Sequence, residues 1–276
     1  MNLIVSKCWQ GQTKKGVHKG AEILSKHFQY FQEHDNLQIT NIPTKKFYNK
    51  IKGYNRVFRE NLKTLEDGKL PINLGGDHSI SGATLASSIK YFGDDLRVIW
   101  VDAHADINTV ESSSSGNFHG MPVASAMHLM KPWVNNVFPL KPEQIIYIGL
   151  RDIDPFEKKI IEEKNITHYT CKEINDKGIE NVFQEIDGLI KDTKIHYSFD
   201  IDSMDPVIAP STGTPVKDGL YCNDIYYIQS KLFELGNVIN CDFVEYNPNI
   251  GKKFDSEITK HTYRKILDQF VSFVPK

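Results

Sequence analysis

The 276 residues suffice for one large domain or two small ones, and a composition 40% hydrophobic and 25% charged is that of a globular chain able to bury a sizeable core. A formal charge of −2 leaves no basic footprint and argues against non-specific nucleic-acid binding. No apolar run approaches the ~18 residues of a membrane span, and the cysteines at 8, 171, 222 and 241 lack C-x-x-C spacing, so neither a disulfide framework nor a zinc knuckle is expected.

The N-terminus, MNLIVSKCWQ, has no basic leader and reads as a first strand, Leu3–Val5, rather than a signal peptide. Further strand-length runs follow at Leu37–Thr40, Pro71–Leu74, Arg97–Val101, Gln144–Gly149, Ile166–Tyr169, Ile195–Asp200 and Val238–Val244. Most are apolar at consecutive positions, as strands buried on both faces are. Between them lie helical stretches: Ile225, Ile228, Leu232 and Leu235 fall at helical spacing, as do Tyr263, Ile266, Leu267 and Phe270. This alternation implies an α/β fold with three layers, a mainly parallel eight-stranded sheet and helices on both faces. With no linker-like composition and no repeat, residues 1–276 are expected to form a single domain in a cytoplasmic protein.

Two segments resist the alternation. Residues 103–119 contain the tract Ser112–Gly116, and residues 202–221 hold three prolines and two glycines. Loops of this length inside a compact domain tend to be functional. Both follow the C-terminal end of a strand, where open α/β sheets place their ligands.

Four strand ends carry ligand-type side chains: GGDHS (75–79), DAHADIN (102–108), DID (200–202) and CDFVE (241–245). In a parallel sheet these ends share one edge, so the side chains can converge. Alternate residues of a strand share a face about 6.6 Å apart, so Asp102 and His104 reach a common ion from extended backbone. Asp106 would stand about 13 Å from Asp102 if the strand continued. The chain must curl after His104, and the small Ala103 and Ala105 permit it.

The candidate shell is His78, Asp102, His104, Asp106, Asp200 and Asp202. Its four carboxylates carry about −4, which two divalent cations neutralise; without metal, some carboxyls must hold protons at raised pKa. An oxygen-rich set without thiolate favours Mn²⁺ or a similar first-row ion over structural zinc, and carboxylates able to bridge make a binuclear centre the natural reading. Asp77 and Asp242 read as structural cap or turn residues. Metallophosphoesterases use similar D-x-H and G-N-H fragments. Here, however, GGDH precedes DAH, and Phe118 separates Asn117 from His119.

Taken together, GGDHS (75–79), DAHADIN (102–108), SGNFHGMP (115–122), RDIDPFE (151–157), SFDIDSMDP (198–206), TGTP (212–215) and VEYNP (244–248) resemble the ureohydrolases, and among them the arginases. The resemblance covers nearly the whole chain, with the blocks in order, and implies the arginase/deacetylase-like α/β fold. It implies two Mn²⁺ per chain and hydrolysis of L-arginine to L-ornithine and urea, with a metal-bridging hydroxide attacking the guanidinium carbon. By motif, His78, Asp102, Asp106 and Asp200 would ligate one ion. Asp102, His104, Asp200 and Asp202 would ligate the other, with Asp102 and Asp200 bridging. Asp106 would accept a hydrogen bond from the hydroxide, Glu245 would hold the guanidinium, and His119 would shuttle protons to the leaving amine.

For the rest of the substrate, Asn108, Ser115 and Asn117 are neutral donors suited to the α-carboxylate. Asp154 and Glu157 would meet the α-ammonium. Thr214 would either touch the guanidinium or form a turn, and Arg151 with Asp152 reads as a structural salt bridge. The S-G-N block and Met121-Pro122 favour arginine over agmatine; in agmatinases T-P-F commonly follows HG. An agmatinase or another guanidino-compound ureohydrolase is the alternative, ahead of a silent binding protein or a deacetylase-like amide hydrolase. The expected partners are a small-molecule substrate and further copies of the chain, as trimer or hexamer, with no nucleic acid and no membrane. The chain ends soon after its last helix, without the long tail that helps some animal arginases trimerise.

Overall fold

The computed structural model describes residues 1–32, 37–43, 45, 49–235 and 238–274. Its strands are β1 (Asn2–Ser6), β2 (Gln38–Ile42), β3 (Pro71–Gly75), β4 (Leu96–Val101), β5 (Ile145–Leu150), β6 (Thr167–Thr170), β7 (Lys194–Asp200) and β8 (Val238–Val244). They form one eight-stranded sheet in the order β2-β1-β3-β8-β7-β4-β5-β6, and every pairing is parallel. The expected mainly parallel sheet is thus wholly parallel, and each expected strand lies within a residue or two of an observed one.

The helices are α1 (Val17–Gln32), α2 (Lys50–Glu66), α3 (Ser81–Phe92), α4 (Pro122–Ala126), α5 (Pro155–Glu163), α6 (Cys171–Lys177), α7 (Ile179–Ile190), α8 (Cys222–Glu234) and α9 (Lys253–Phe273). Strand periodicity sorts the core into two layers of side chains. Ile99, Val101, Tyr197, Phe199 and Phe243 pack on one face with Ile225 and Ile228 of α8 and Tyr263, Ile266 and Phe270 of α9. Val98, Trp100 and Tyr147 pack on the other face with Leu85 and Ile89 of α3. Among the described residues no helix is long and apolar enough to cross a membrane.

One stretch of the α3-side face is polar and buried. Asp242 accepts hydrogen bonds from Ser81 (2.7 Å), Thr84 (2.6 Å) and Asn73 (3.0 Å) and lies 3.1 Å from His196 Nε2. His196 Nδ1 meets Ser88 Oγ at 2.9 Å. Burial opposes the charge on Asp242, but His196 and the hydroxyls hold its carboxyl below the usual range. Asp242 is therefore structural as expected, though as a pin between α3 and the sheet rather than a turn residue. Asp77 is also structural: its carboxylate accepts the N–H of Gly11 at 2.9 Å and of Ser79 at 3.2 Å.

Register decides where the site lies. Val101 pairs with Phe199, Asp200 with Val244, and Leu74 with Phe243. The C-terminal ends of β3, β8, β7 and β4 are therefore level, and the residues that follow them meet above the middle of the sheet.

Candidate metal centre and active site

The two D-x-[HD] motifs make the same local turn. Asp102 Oδ1 accepts the N–H of His104 at 2.8 Å, and Asp200 Oδ1 accepts the N–H of Asp202 at 2.8 Å. Each turn folds the second ligand back over the strand end, as short acidic side chains do when they bond the backbone two residues on. Each Oδ2 remains for other work. Since Val101 and Phe199 are partners on adjacent strands, the two turns stand side by side.

His78 enters from the short turn after β3. Its Nδ1 lies 3.1 Å from carboxylate oxygens of Asp102, Asp106 and Asp200 alike. Its Nε2 meets Ser198 Oγ at 2.9 Å, and its ring stacks on Trp100 with centroids 4.2 Å apart and planes 9° apart. Trp100 Nε1 in turn donates to Asp102 Oδ2 at 3.0 Å. Gly76 lets the chain enter this way: a Cβ there would fall 1.7 Å from the carbonyl oxygen of Cys8.

Asp106 reaches His78 because the backbone curls as expected, with Asp106 itself at φ 52°. Tyr147 Oη holds the carbonyl of Ala105 at 2.8 Å, and the amides of Arg151 and Asp152 hold that of Ala103 at 2.9 and 3.0 Å. His104 Nδ1 lies 3.4 Å from Asp102 Oδ1 and 3.3 Å from Asp202 Oδ2.

Two groups of ligand atoms result, His78/Asp102/Asp200 and Asp102/His104/Asp202, each within 4.8 Å and sharing Asp102. The residues fit a pair of divalent cations. His78 Nδ1 is buried without a hydrogen-bond partner while facing three carboxylates. Donor atoms about 3 Å apart match the edge of an octahedron of ~2.1 Å bonds. The imidazole's other nitrogen is held by a hydroxyl, the arrangement that orients a ligating histidine.

Charge crowding shows in the acids. Burial opposes ionisation of them all. Asp102, flanked by His104 and His78, is nevertheless held well below the usual range. Asp200, buried beside Asp202 and Asp102, is pushed well above it. Asp106 is pushed up to about 6 by burial and the charge of Asp102.

Above the acids opens a cleft of about 190 Å³. His104, Asp106, Asp200 and Asp202 contribute to its lining, together with Asn108, Ser115, Asn117, His119, Asp154, Glu157 and Thr214. Glu245 sits just behind, at φ 69° after β8. Its Oε1 accepts the N–H of His78 at 2.8 Å and lies 3.2 Å from His119 Nδ1, while Oε2 accepts Gln12 Nε2 at 2.7 Å. Burial opposes charge on both members of the His119–Glu245 pair. Their contact overcomes it, carrying His119 up to about 9 and holding Glu245 below the usual range.

The arginase family profile matches residues 9–272. The chain belongs to the arginase family. The arginase of Neurospora crassa is 43% identical over 202 residues, which cover 69% of this chain and 56% of that protein. Arginase-1 of Rattus norvegicus is 35% identical over 277 residues, covering 91% of this chain and 85% of the rat protein. The crystal structure of arginase from Bacillus subtilis superposes with a TM-score of 0.90 at 32% identity, covering 98% of this chain and 97% of that one. The match thus spans little more than half of the Neurospora arginase.

In this arginase-family chain several side chains take roles that the motifs did not show. Arg151 braces the loop after β7, but not through Asp152. Its guanidinium donates to carbonyls of Asp202 (2.6 Å), Val216 (2.8 Å), Ser203 (3.0 Å) and Lys217 (3.1 Å). Asp152 instead lines the cleft, 3.5 Å from His104 Nε2. Thr214 donates to Asp202 Oδ2 at 2.9 Å, so it steadies one of the acids rather than merely forming a turn. Glu157 has both oxygens on backbone N–H groups, of Ile107 (3.1 Å) and Asp154 (3.0 Å), and burial pushes it up to about 7. Asn108 donates to Asp154 at 2.8 Å.

Trp100, Ser198, Ser113 and Gln12 were not foreseen. Two of them left a signal: Trp100 and Ser198 stand two residues before Asp102 and Asp200, hence on the same strand face. Ser113, which also lines the cleft, lay within the serine tract without being distinguished from its neighbours. Gln12 had no local signal, lying 233 residues from Glu245.

Proposed function

We propose that this chain, as a single ureohydrolase domain, hydrolyses L-arginine to L-ornithine and urea with two Mn²⁺. One ion is assigned to His78, Asp102, Asp106 and Asp200, the other to Asp102, His104, Asp200 and Asp202. The observation that carries the reading is the pair of ligand groups sharing Asp102 below a cleft walled by acids and small amides. A guanidinium cation suits its acidic floor. An α-ammonium suits Asp154, and an α-carboxylate suits Ser115 and Asn117.

Held by these ligands, a bound metal pair would supply activation of water at neutral pH. Asp106 takes a hydrogen bond from the attacking water and steadies it against the planar guanidinium carbon. Glu245 orients the guanidinium. His119, charged below about pH 9, keeps Nδ1 towards Glu245, leaving Nε2–H to protonate the departing amine of ornithine. Asn108, tied to Asp154, holds the ammonium-binding acid in place.

Urea release from L-arginine and agmatine, each with and without added Mn²⁺, tests the reading. Arginine should be turned over in the presence of Mn²⁺ and agmatine poorly, because agmatine offers Ser115 and Asn117 no carboxylate. Urea from agmatine but not arginine would replace the substrate assignment.

A further inference from the structure

Glu245 is close to saturated before any substrate arrives. Its oxygens already meet the N–H of His78, the ring of His119 and the amide of Gln12. A carboxylate offers about four acceptor positions and a guanidinium about five donors. Glu245 alone therefore leaves the cation short of partners.

Gln12 holds an unused acceptor at the same place. Because carboxylate oxygens accept, the Gln12 atom 2.7 Å from Glu245 Oε2 is the amide nitrogen, which makes the other atom the carbonyl oxygen. That oxygen is buried without a hydrogen-bond partner, in a residue only 7% exposed. Native proteins rarely leave such an atom without a donor unless the donor comes from water, an ion or a ligand.

Gly213 shows that the two oxygens border one space. A Cβ at residue 213 would lie 2.9 Å from Gln12 Oε1 and 3.6 Å from Glu245 Oε2. The bare glycine keeps that space open next to Thr214, which lines the cleft. Lys14, two residues after Gln12, donates to the carbonyl of Gly213 and ties the two segments together.

We propose that Gln12 contacts the substrate directly: its amide nitrogen orients Glu245, and its carbonyl oxygen accepts an N–H of the guanidinium in the space left open by Gly213. This rests on the arginine reading and deepens it. A neutral carbonyl beside a carboxylate selects a flat cation with several N–H donors, and ornithine, which lacks the guanidinium, has no use for it.

The test uses the full-length, metal-loaded chain and two variants. Gln12→Met keeps the length and removes both polar atoms; Gly213→Ala keeps Gln12 in the chain but puts a methyl 2.9 Å from its Oε1, filling the space and pushing that oxygen aside. Each should raise KM for arginine on the order of 10–100-fold, the scale of one hydrogen bond to a charged group. Affinity for guanidinium ion, by calorimetry, should fall in step while inhibition by ornithine stays within about twofold. Unchanged guanidinium affinity in Gln12→Met, an equal loss of ornithine binding, or damage in Gln12→Met with none in Gly213→Ala would each overturn the contact. Failure of the wild type to release urea from arginine would overturn the substrate reading instead. The guanidinium titrations of wild type and variants would then still decide this one.

Discussion

Asp106 and Glu245 hold left-handed backbone at φ 52° and 69°, a region that residues other than glycine seldom occupy. In each case the twist turns a carboxylate aside from the line of its strand. It brings Asp106 back to His78 and Glu245 to His119. Neighbouring backbone holds both residues: Val123 donates to the carbonyl of Asp106 at 3.1 Å, and Glu245 donates to that of Gly76 at 2.8 Å. The His119–Glu245 pair makes a pH-dependent contribution at the same scale. Against burial, Glu245 raises His119 from 6.5 to about 9. A raised histidine stabilises the fold fully below about pH 6.5 and loses that contribution as pH rises through about 9. In metal-free protein, the melting-temperature gap between wild type and His119→Gln should be widest near pH 6 and shrink above pH 9. A gap constant across that span would rule out an ionic pair.

At the scale of the element, β4 and β7 end in one device used twice. Both first aspartates spend Oδ1 on the N–H two residues ahead and keep Oδ2 for the site. Asparagine can make the same backbone contact but lacks the charge. Asp102→Asn should therefore keep the fold and turn while losing both bound ions in a metal assay, since Asp102 belongs to both groups. Full occupancy in that variant would refute the ligand assignment. These motifs were legible because the turn is local, and the strands were legible because consecutive apolar residues mark burial on both faces. Arg151 was half-legible. Its charge marked a structural role, but its carbonyl partners come from residues 202–217, brought to it by the fold.

For the whole molecule, the parallel sheet collects acids that repel one another. Asp106 is pushed up to about 6 and Asp200 well above the carboxylate range, burial being the first cause in both. An acid whose pKa rises on folding favours the fold below its unfolded value and loses that advantage as pH rises through the folded one. The metal-free chain should accordingly melt lower at pH 8 than at pH 5, and Mn²⁺ should restore stability at pH 8 by binding the folded state. Melting scans with and without a chelator check this. Equal melting at both pH values, unaffected by metal, would show that the acids carry no such penalty.

By itself the sequence determined the parallel α/β alternation, the candidate ligand set and the curl after His104. Each rests on something local: the period of apolar residues, an acid two residues before its partner, or the reach of an extended chain. Tertiary structure alone decided which strands are neighbours, and hence that Asp102 and Asp200 stand together over His78. It also decided that Gln12 meets Glu245 and that Arg151 reaches the carbonyls after β7. Contacts across such separations follow from strand order and register, which no local pattern of side chains encodes.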